Sequence, residues 1–291
     1  MGASTLEYAE VVASYRSTKP RTVSVPGQGG DPLPSRANAQ SIYGQGGGDF
    51  VSFPPKNCAK GRLFTWTHTE DHPCVVEVRE SSPSEDLDES VVLLEFPSPI
   101  QTAHACVGQC PDEWWVLYVL TQDGCVHRLQ VLVPSDASTL ALSQVDPASV
   151  ESVDVREEIV KLLAHPTAVF ATPQAMLVGG ASGDVLRIAR GAMKHQGGRA
   201  AQANLTVFKD PLRKRMWSGL LNLGLSANPP NAQEESGRAV EAVHVTGDAR
   251  VLVLQRSPAL RVHNAHTGAF VSSLALPSGG GGAARMAVSG E

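Results

Sequence analysis

Four times along the chain an apolar run of strand length meets a tight polar turn and is followed by a second such run. The clearest copy is Trp114-Trp115-Val116-Leu117-Tyr118-Val119-Leu120, then Asp123-Gly124, then an alternating stretch over 125–133. Aromatic and β-branched residues ending at Asp-Gly describe a buried strand entering a hairpin. The unit returns as 175–179, Ser182-Gly183-Asp184 and 185–188, and again as 251–254, Ser257-Pro258 and 260–263. A weaker copy joins 63–66 to 75–78 through Glu70-Asp71-His72-Pro73.

The turns near Asp71, Asp123, Gly183 and Pro258 lie 52, 60 and 75 residues apart. Antiparallel units repeating at this spacing predict propeller blades carrying insertions, since undecorated blades recur at roughly 40–45 residues. The last unit, Leu260-Arg261-Val262-His263-Asn264 with Thr267-Gly268 and Val271, is a degraded blade signature. His263 stands where Trp is usual and Asn264 where Asp is usual. A sandwich of irregularly spaced hairpins is the alternative. The expected fold class is mostly β: a partial β-propeller of about four WD-like blades with one or two short inserted helices. Closed propellers use roughly 4–8 blades. The start of an apolar run at 284–288 predicts that the chain is a fragment and that its blades form an open arc.

Three stretches follow. Residues 1–48 hold eight Gly and four Pro and are expected to be weakly ordered. Gly46-Gly47-Gly48 in particular is unfit for a helix or a central strand, although a short helix over 6–14 is compatible with its composition. Residues 49–276 are the partial propeller, and 277–291 a Gly-rich tail. Helix is expected over 155–164, where Val155, Ile159, Leu162 and Leu163 share a face and Pro166 follows. A second helix is expected over 210–221, with Asp210 as cap, Pro211 at its first position, and Leu212, Met216, Trp217 and Leu220 on one face.

Composition removes several classes. The formal charge of −5 argues against a generally basic nucleic-acid coat. Five Cys in 291 residues make no small disulfide framework. Glu7 and Glu10 interrupt any signal-like start, and the run of seven ending at Leu120 falls far short of a membrane span. The expectation is a soluble, intracellular, loop-rich protein.

Four stretches resemble the amino-terminal propeller of the large Y-complex nucleoporins, called nucleoporin one-hundred-and-sixty in animals and plants and one-hundred-and-twenty in budding yeast. They are 115–129 (Trp-Val-Leu-Tyr-Val-Leu-Thr-Gln-Asp-Gly-Cys-Val-His-Arg-Leu), 175–185, 210–220 with Arg215-Met216-Trp217-Ser218-Gly219-Leu220, and 241–267. Their order and spacing are similar from about residue 60 to 276, the plant form being nearest, and the run 91–97 fits the segment before the first. The segment 191–205, the Gly-rich start and the tail have no counterpart. The resemblance implies a structural scaffold subunit of the outer ring of the nuclear pore complex. It would lie at the nuclear envelope, partner other Y-complex nucleoporins, and support nucleocytoplasmic transport and mRNA export. A WD-type interaction adaptor outside the pore is the alternative.

No catalytic, cofactor-binding or metal site is expected. Gly180-Ala181-Ser182-Gly183-Asp184 lacks the second glycine of a nucleophile elbow, and Gly44-Gln45-Gly46 lacks the flanking strand and helix of a dinucleotide loop. The pairs His104/Cys106 with Cys110, His68/His72 and His263/His266 each fall short of the four ligands a structural zinc takes. Residues 80–89, with Glu80, Glu85, Asp86, Asp88 and Glu89, are read as a solvated acidic loop. Residues 187–215 carry eight Lys or Arg against Asp210 and are read as a solvated loop between blades, with nucleic acid or anionic lipid as the competing reading. The uncharged stretch 216–227 suits a buried helix better than a membrane packing sensor. Inter-blade packing is expected from Trp114, Val116, Tyr118, Leu177, Leu186, Val251, Val253, Leu260 and Val262.

Overall fold

In a computed structural model, the described residues are 20–27, 46–52, 61–69, 71–81, 89–108, 114–133, 140–163, 165–192, 205–209, 211, 238–257 and 259–276. They build four sheets in chain order, antiparallel throughout except for one strand of the first. The first contains β1 (Arg21–Ser24), β2 (Gly46–Ser52), β3 (Gly61–His68), β4 (Val75–Ser81) and β5 (Ser90–Glu95), in the order β1-β5-β4-β3-β2. The second runs β6 (Ile100–Gly108), β7 (Trp114–Thr121), β8 (Cys125–Leu132), β9 (Val150–Asp154). The third runs β10 (Pro166–Thr172), β11 (Ala175–Gly180), β12 (Val185–Ala189), β13 (Leu205–Phe208). The fourth runs β14 (Val240–Val245), β15 (Arg250–Gln255), β16 (Ala259–Asn264), β17 (Phe270–Ala275). These are four blades of a propeller, and each strand-turn-strand unit of the sequence is the middle hairpin of one blade.

Alternation along the middle strands explains the stacking. On β7, Trp115, Leu117 and Val119 join a core with Phe64, Trp66, Val76, Val78, Val92 and Leu94 of the first sheet. Val116, Tyr118 and Leu120 point the other way and share a core with Met176, Val178, Leu186 and Ile188 of the third. On β11, Leu177 faces onward to Val243, Val251 and Val253 of the fourth sheet. A strand's period of two therefore divides each blade between two interfaces, which is why β7 is apolar throughout instead of alternating with polar residues. Of the nine residues expected between blades, Val116, Tyr118, Leu177, Leu186, Val251 and Val253 are buried there. Trp114, at the start of β7, is only half-buried, and so are Leu260 and Val262, which lie on the face of the fourth blade away from its core with the third. Trp115 is the fully buried indole, stacked on Phe64 with centroids 5.2 Å apart and planes 13° apart.

One expectation needs correction. Parts of 1–48 are ordered sheet: β1 adds in parallel to β5, and β2 starts at Gly46. The glycines tolerate this because β2 is an edge strand and Trp66, opposite Gly47, lays its indole where a Cβ would stand, 2.9 Å away. The helix expected over 155–164 is present, with a change of pitch. The helical α1 (Arg156–Glu158) is one short turn that widens into a π turn over Ile159–Leu163, with Val155, Ile159 and Leu163 buried as a common face. The helix expected over 6–14, all but Pro211 of the one expected over 210–221, the basic segment 193–204, and the tail 277–291 lie outside the described residues.

Turn chemistry repeats between blades. Thr121 donates its hydroxyl to Asp123 in the β7–β8 turn, with Gly124 at φ 86°. In the β14–β15 turn Thr246 and Asp248 form the same pair, followed by Ala249 at φ 59°. A Cβ in that left-handed conformation costs about 1–2 kcal/mol, against the smaller entropy cost of a glycine. Ala249→Gly is therefore expected to stabilise the protein by roughly 0.5–1 kcal/mol. Chemical denaturation checks this as a higher midpoint at unchanged slope.

Candidate scaffold interfaces

Buried polar groups mark where one blade grips the next. In the second blade Tyr118, Arg128 and Glu151 stand in one row across β7, β8 and β9. The Arg128 guanidinium, 1% exposed, donates to Glu151 at 2.9 Å, to Gln130 at 2.9 Å and to the Tyr118 hydroxyl at 3.3 Å. Burial pushes the Tyr118 phenol up to about 12 despite that cation. Tyr118 donates in turn toward the Pro173 carbonyl of the third blade, at 3.5 Å. Arg261 of the fourth blade donates to the Gly183 carbonyl in the third blade's hairpin turn.

The acidic segment 80–89 is corrected at its first residue. Glu80 is fully buried, because it ends the inward-facing row Val76, Val78, Glu80 of β4. Its carboxylate accepts the Leu142 backbone N–H at 2.7 Å and lies 3.5 Å from the Arg62 guanidinium. Burial raises its pKa, and the Leu142 and Ala141 amides and Arg62 oppose the shift. The Glu80–Leu142 bond ties the first blade to the connector before β9. Glu89 is half-buried and pairs with Arg79 at 3.4 Å, and 82–88 are not among the described residues. The basic segment 187–215 is likewise part strand: Arg187 sits in β12, and Lys209 directly follows β13.

A Ser, a His and an Asp do meet. His127 Nδ1 lies 2.8 Å from the Ser152 hydroxyl, and its Nε2 lies 3.4 Å from Thr121 Oγ1. The Thr121 hydroxyl is 2.5 Å from Asp123 Oδ1. Since Thr121 gives its proton to the carboxylate, its oxygen accepts from Nε2–H, and Nδ1 accepts from Ser152. The relay runs Ser152 to His127 to Thr121 to Asp123, capped by Phe96 of the first blade 5.0 Å away. Burial lowers the imidazole to about 4, with Asp123 opposing the shift. These contacts tie the β7–β8 turn to β9 and to the first blade.

The paired ligand candidates are apart in role. His68 Nδ1 meets the Val75 carbonyl at 3.2 Å, whereas His72 is exposed. His104 packs on Phe170 at 5.4 Å, Cys106 joins the second interface, and Cys110 is outside the described residues. His263 sits between the rings of Phe208 and Phe270, 5.7 Å from each, while His266 is exposed. No group of three or more His, Cys, Asp or Glu among the described residues could hold a metal, and Cys74, Cys106 and Cys125 carry no disulfide. No helix among the described residues is long and apolar enough to cross a membrane. Sequence reasoning missed the outermost strand of the fourth blade as a surface. All six residues of β17 are exposed, including Phe270, Val271 and Leu274.

With four successive blades and their couplings in place, the family comparison is decisive: residues 62–287 match the model for the nucleoporin Nup120/160 β-propeller domain. The chain belongs to that family. The resemblance carried by 115–129, 175–185, 210–220 and 241–267 falls within the matched span. No curated protein matches the chain. Among solved structures it is similar to BBS1N in complex with ARL6DN, soaked with lead, at 13% identity, 79% of this chain, 54% of that one and a TM-score of 0.41. It is similar also to HIRA(644-1017), at 12% identity, 82% of this chain, 54% of that one and a TM-score of 0.32. The Nup120/160 module thus spans about half the length of these structures.

The His127 relay gives the module a pH response. Unfolded, an imidazole takes up its proton near 6.5, whereas folded His127 resists until about 4. The unfolded state therefore binds more protons through that window, and stability falls as the pH drops from about 6.5 to about 4, by up to roughly 3 kcal/mol. His68, also lowered by burial, has the same sign; Glu80, raised, has the opposite one. His127→Gln is expected to flatten the urea midpoint against pH between those limits, relative to the unaltered chain.

Proposed function

We propose that the chain is the amino-terminal propeller portion of a Y-complex subunit in the outer ring of the nuclear pore complex. It is a non-catalytic scaffold that binds neighbouring nucleoporins and thereby supports nucleocytoplasmic transport and mRNA export. The observation that carries this reading is the family match over residues 62–287, laid on four blades whose cores run continuously from one to the next. Blade edges and rims suit the work: they offer wide, rigid surfaces for protein partners, and stable assemblies of this kind bury roughly 1,200–2,000 Å² or more.

A tagged chain in its full-length gene product is expected to give a punctate nuclear rim and to co-purify with other outer-ring nucleoporins. Because broad interfaces are less salt-sensitive than phosphate contacts, that association should persist in moderate salt. A diffuse cytosolic signal with no pore proteins recovered would overturn the proposal in favour of a general adaptor.

A further inference from the structure

Strand β1 is an unusual member of its sheet. Every other pairing among the described strands is antiparallel, whereas β1 lies parallel to β5, with Arg21 opposite Val92 and Ser24 opposite Glu95. It is also out of chain order, since it covers the outer edge of a blade whose innermost strand, β2, begins 22 residues after it ends.

The slot that β1 fills has three recognisable parts. Its floor is the first inter-blade core, where Val23 and Val25 bury their side chains while Thr22 and Ser24 face solvent. Its wall is the outer edge of β5, which pairs with the strand and accepts the Val25 N–H on the Glu95 carbonyl at 2.7 Å. Its end is the connector over 141–146. There the Arg21 guanidinium donates to the Leu142 carbonyl at 2.8 Å and to the Val145 carbonyl, and the Asp146 carboxylate feels its charge. Leu142 is held from its other side by Glu80, so the cation reads a fixed carbonyl. Beyond the strand, Gly27 passes Pro97 so closely that a Cβ would stand 2.8 Å from its ring, which marks where the slot closes.

We propose that this slot is a strand-docking groove for an extended partner segment bearing a basic residue with β-branched aliphatic residues two and four positions later. In that arrangement β1 is a resident strap that occupies the groove in cis and competes with the partner. Main-chain pairing to an open sheet edge supplies affinity, and the alternate pockets with the carbonyl-lined end supply selectivity. The short length of β1, four residues, and its exposed Arg21 suit a contact that can be exchanged.

The test uses a fluorescent peptide, Pro-Arg-Thr-Val-Ser-Val-Pro, copied from residues 20–26 and titrated by anisotropy. Against the full chain it should bind weakly, because a tethered competitor acts at an effective concentration near millimolar. Against the full chain carrying Arg21→Ala with Val23→Asp it should bind at least about tenfold tighter, and the same peptide with Arg replaced by Ala should lose about tenfold. A second chain, with Ser24→Cys and Glu95→Cys, locks the strap reversibly and guards against misfolding of the first. Oxidised, it should cross-link within one chain and bind no peptide; reduced, it should recover the weak binding of the unaltered chain. Equal affinity of the intact and strap-disabled chains would overturn the proposal. So would a cross-link joining two chains, which would place the strand of a second copy in the groove.

Discussion

The fold depends on β7 being buried on both sides. Its odd-numbered residues close the interface with the first blade and its even-numbered ones the interface with the third. A strand used this way carries no solvent face, so Trp115 through Leu120 are all buried and apolar. The same division on β11 passes the stacking forward to the fourth blade. The second and third blades therefore each contribute to two cores, and the order of blades in space follows their order in the chain. Burying a large aromatic or aliphatic side chain at such a position contributes about 1.5–3 kcal/mol. The interfaces are accordingly the main source of cohesion between sheets.

Buried polar groups add direction to that cohesion. Arg128 is held by Glu151, Gln130 and Tyr118 within one blade while Tyr118 reaches toward the next. Glu80 of the first blade holds the Leu142 backbone N–H in the connector of the second. Arg261 reads a turn carbonyl one blade back. Breaking such a pair costs more than the pair itself contributes, because it leaves a buried partner unsatisfied. These contacts fix the angle and register of neighbouring blades, which apolar packing alone leaves looser.

Much of this was legible in the sequence, and the division between legible and hidden has a physical cause. The middle hairpins were plain because their strands are buried on both faces and their turns need Asp-Gly or Ser-Gly chemistry, as at Asp123-Gly124 and Ser182-Gly183. Edge strands such as β6, β9, β13 and β17 pair on one side only, so their composition is mixed and reads as loop. Gly46-Gly47-Gly48 became strand through a tertiary event, the Trp66 indole covering Gly47, which no local rule contains. Glu80 looked like the first residue of an acidic loop, yet it continues the inward row of β4 and meets a backbone amide 62 residues away. Trp114 and Trp115 are adjacent, and periodicity alone does not say which of them faces the core.

That last distinction leads to the most direct test. If neighbouring residues on β7 belong to different interfaces, energetic coupling must follow the alternation. In double-mutant cycles, Trp115→Ala and Phe64→Ala should couple by about 0.5–1.5 kcal/mol, as a stacked aromatic pair does. Trp115→Ala and Met176→Ala, on opposite sides of the second blade, should add within about 0.5 kcal/mol. Coupling to Met176 as strong as that to Phe64, or none to Phe64, would contradict the two-faced packing on which this account of the blades rests.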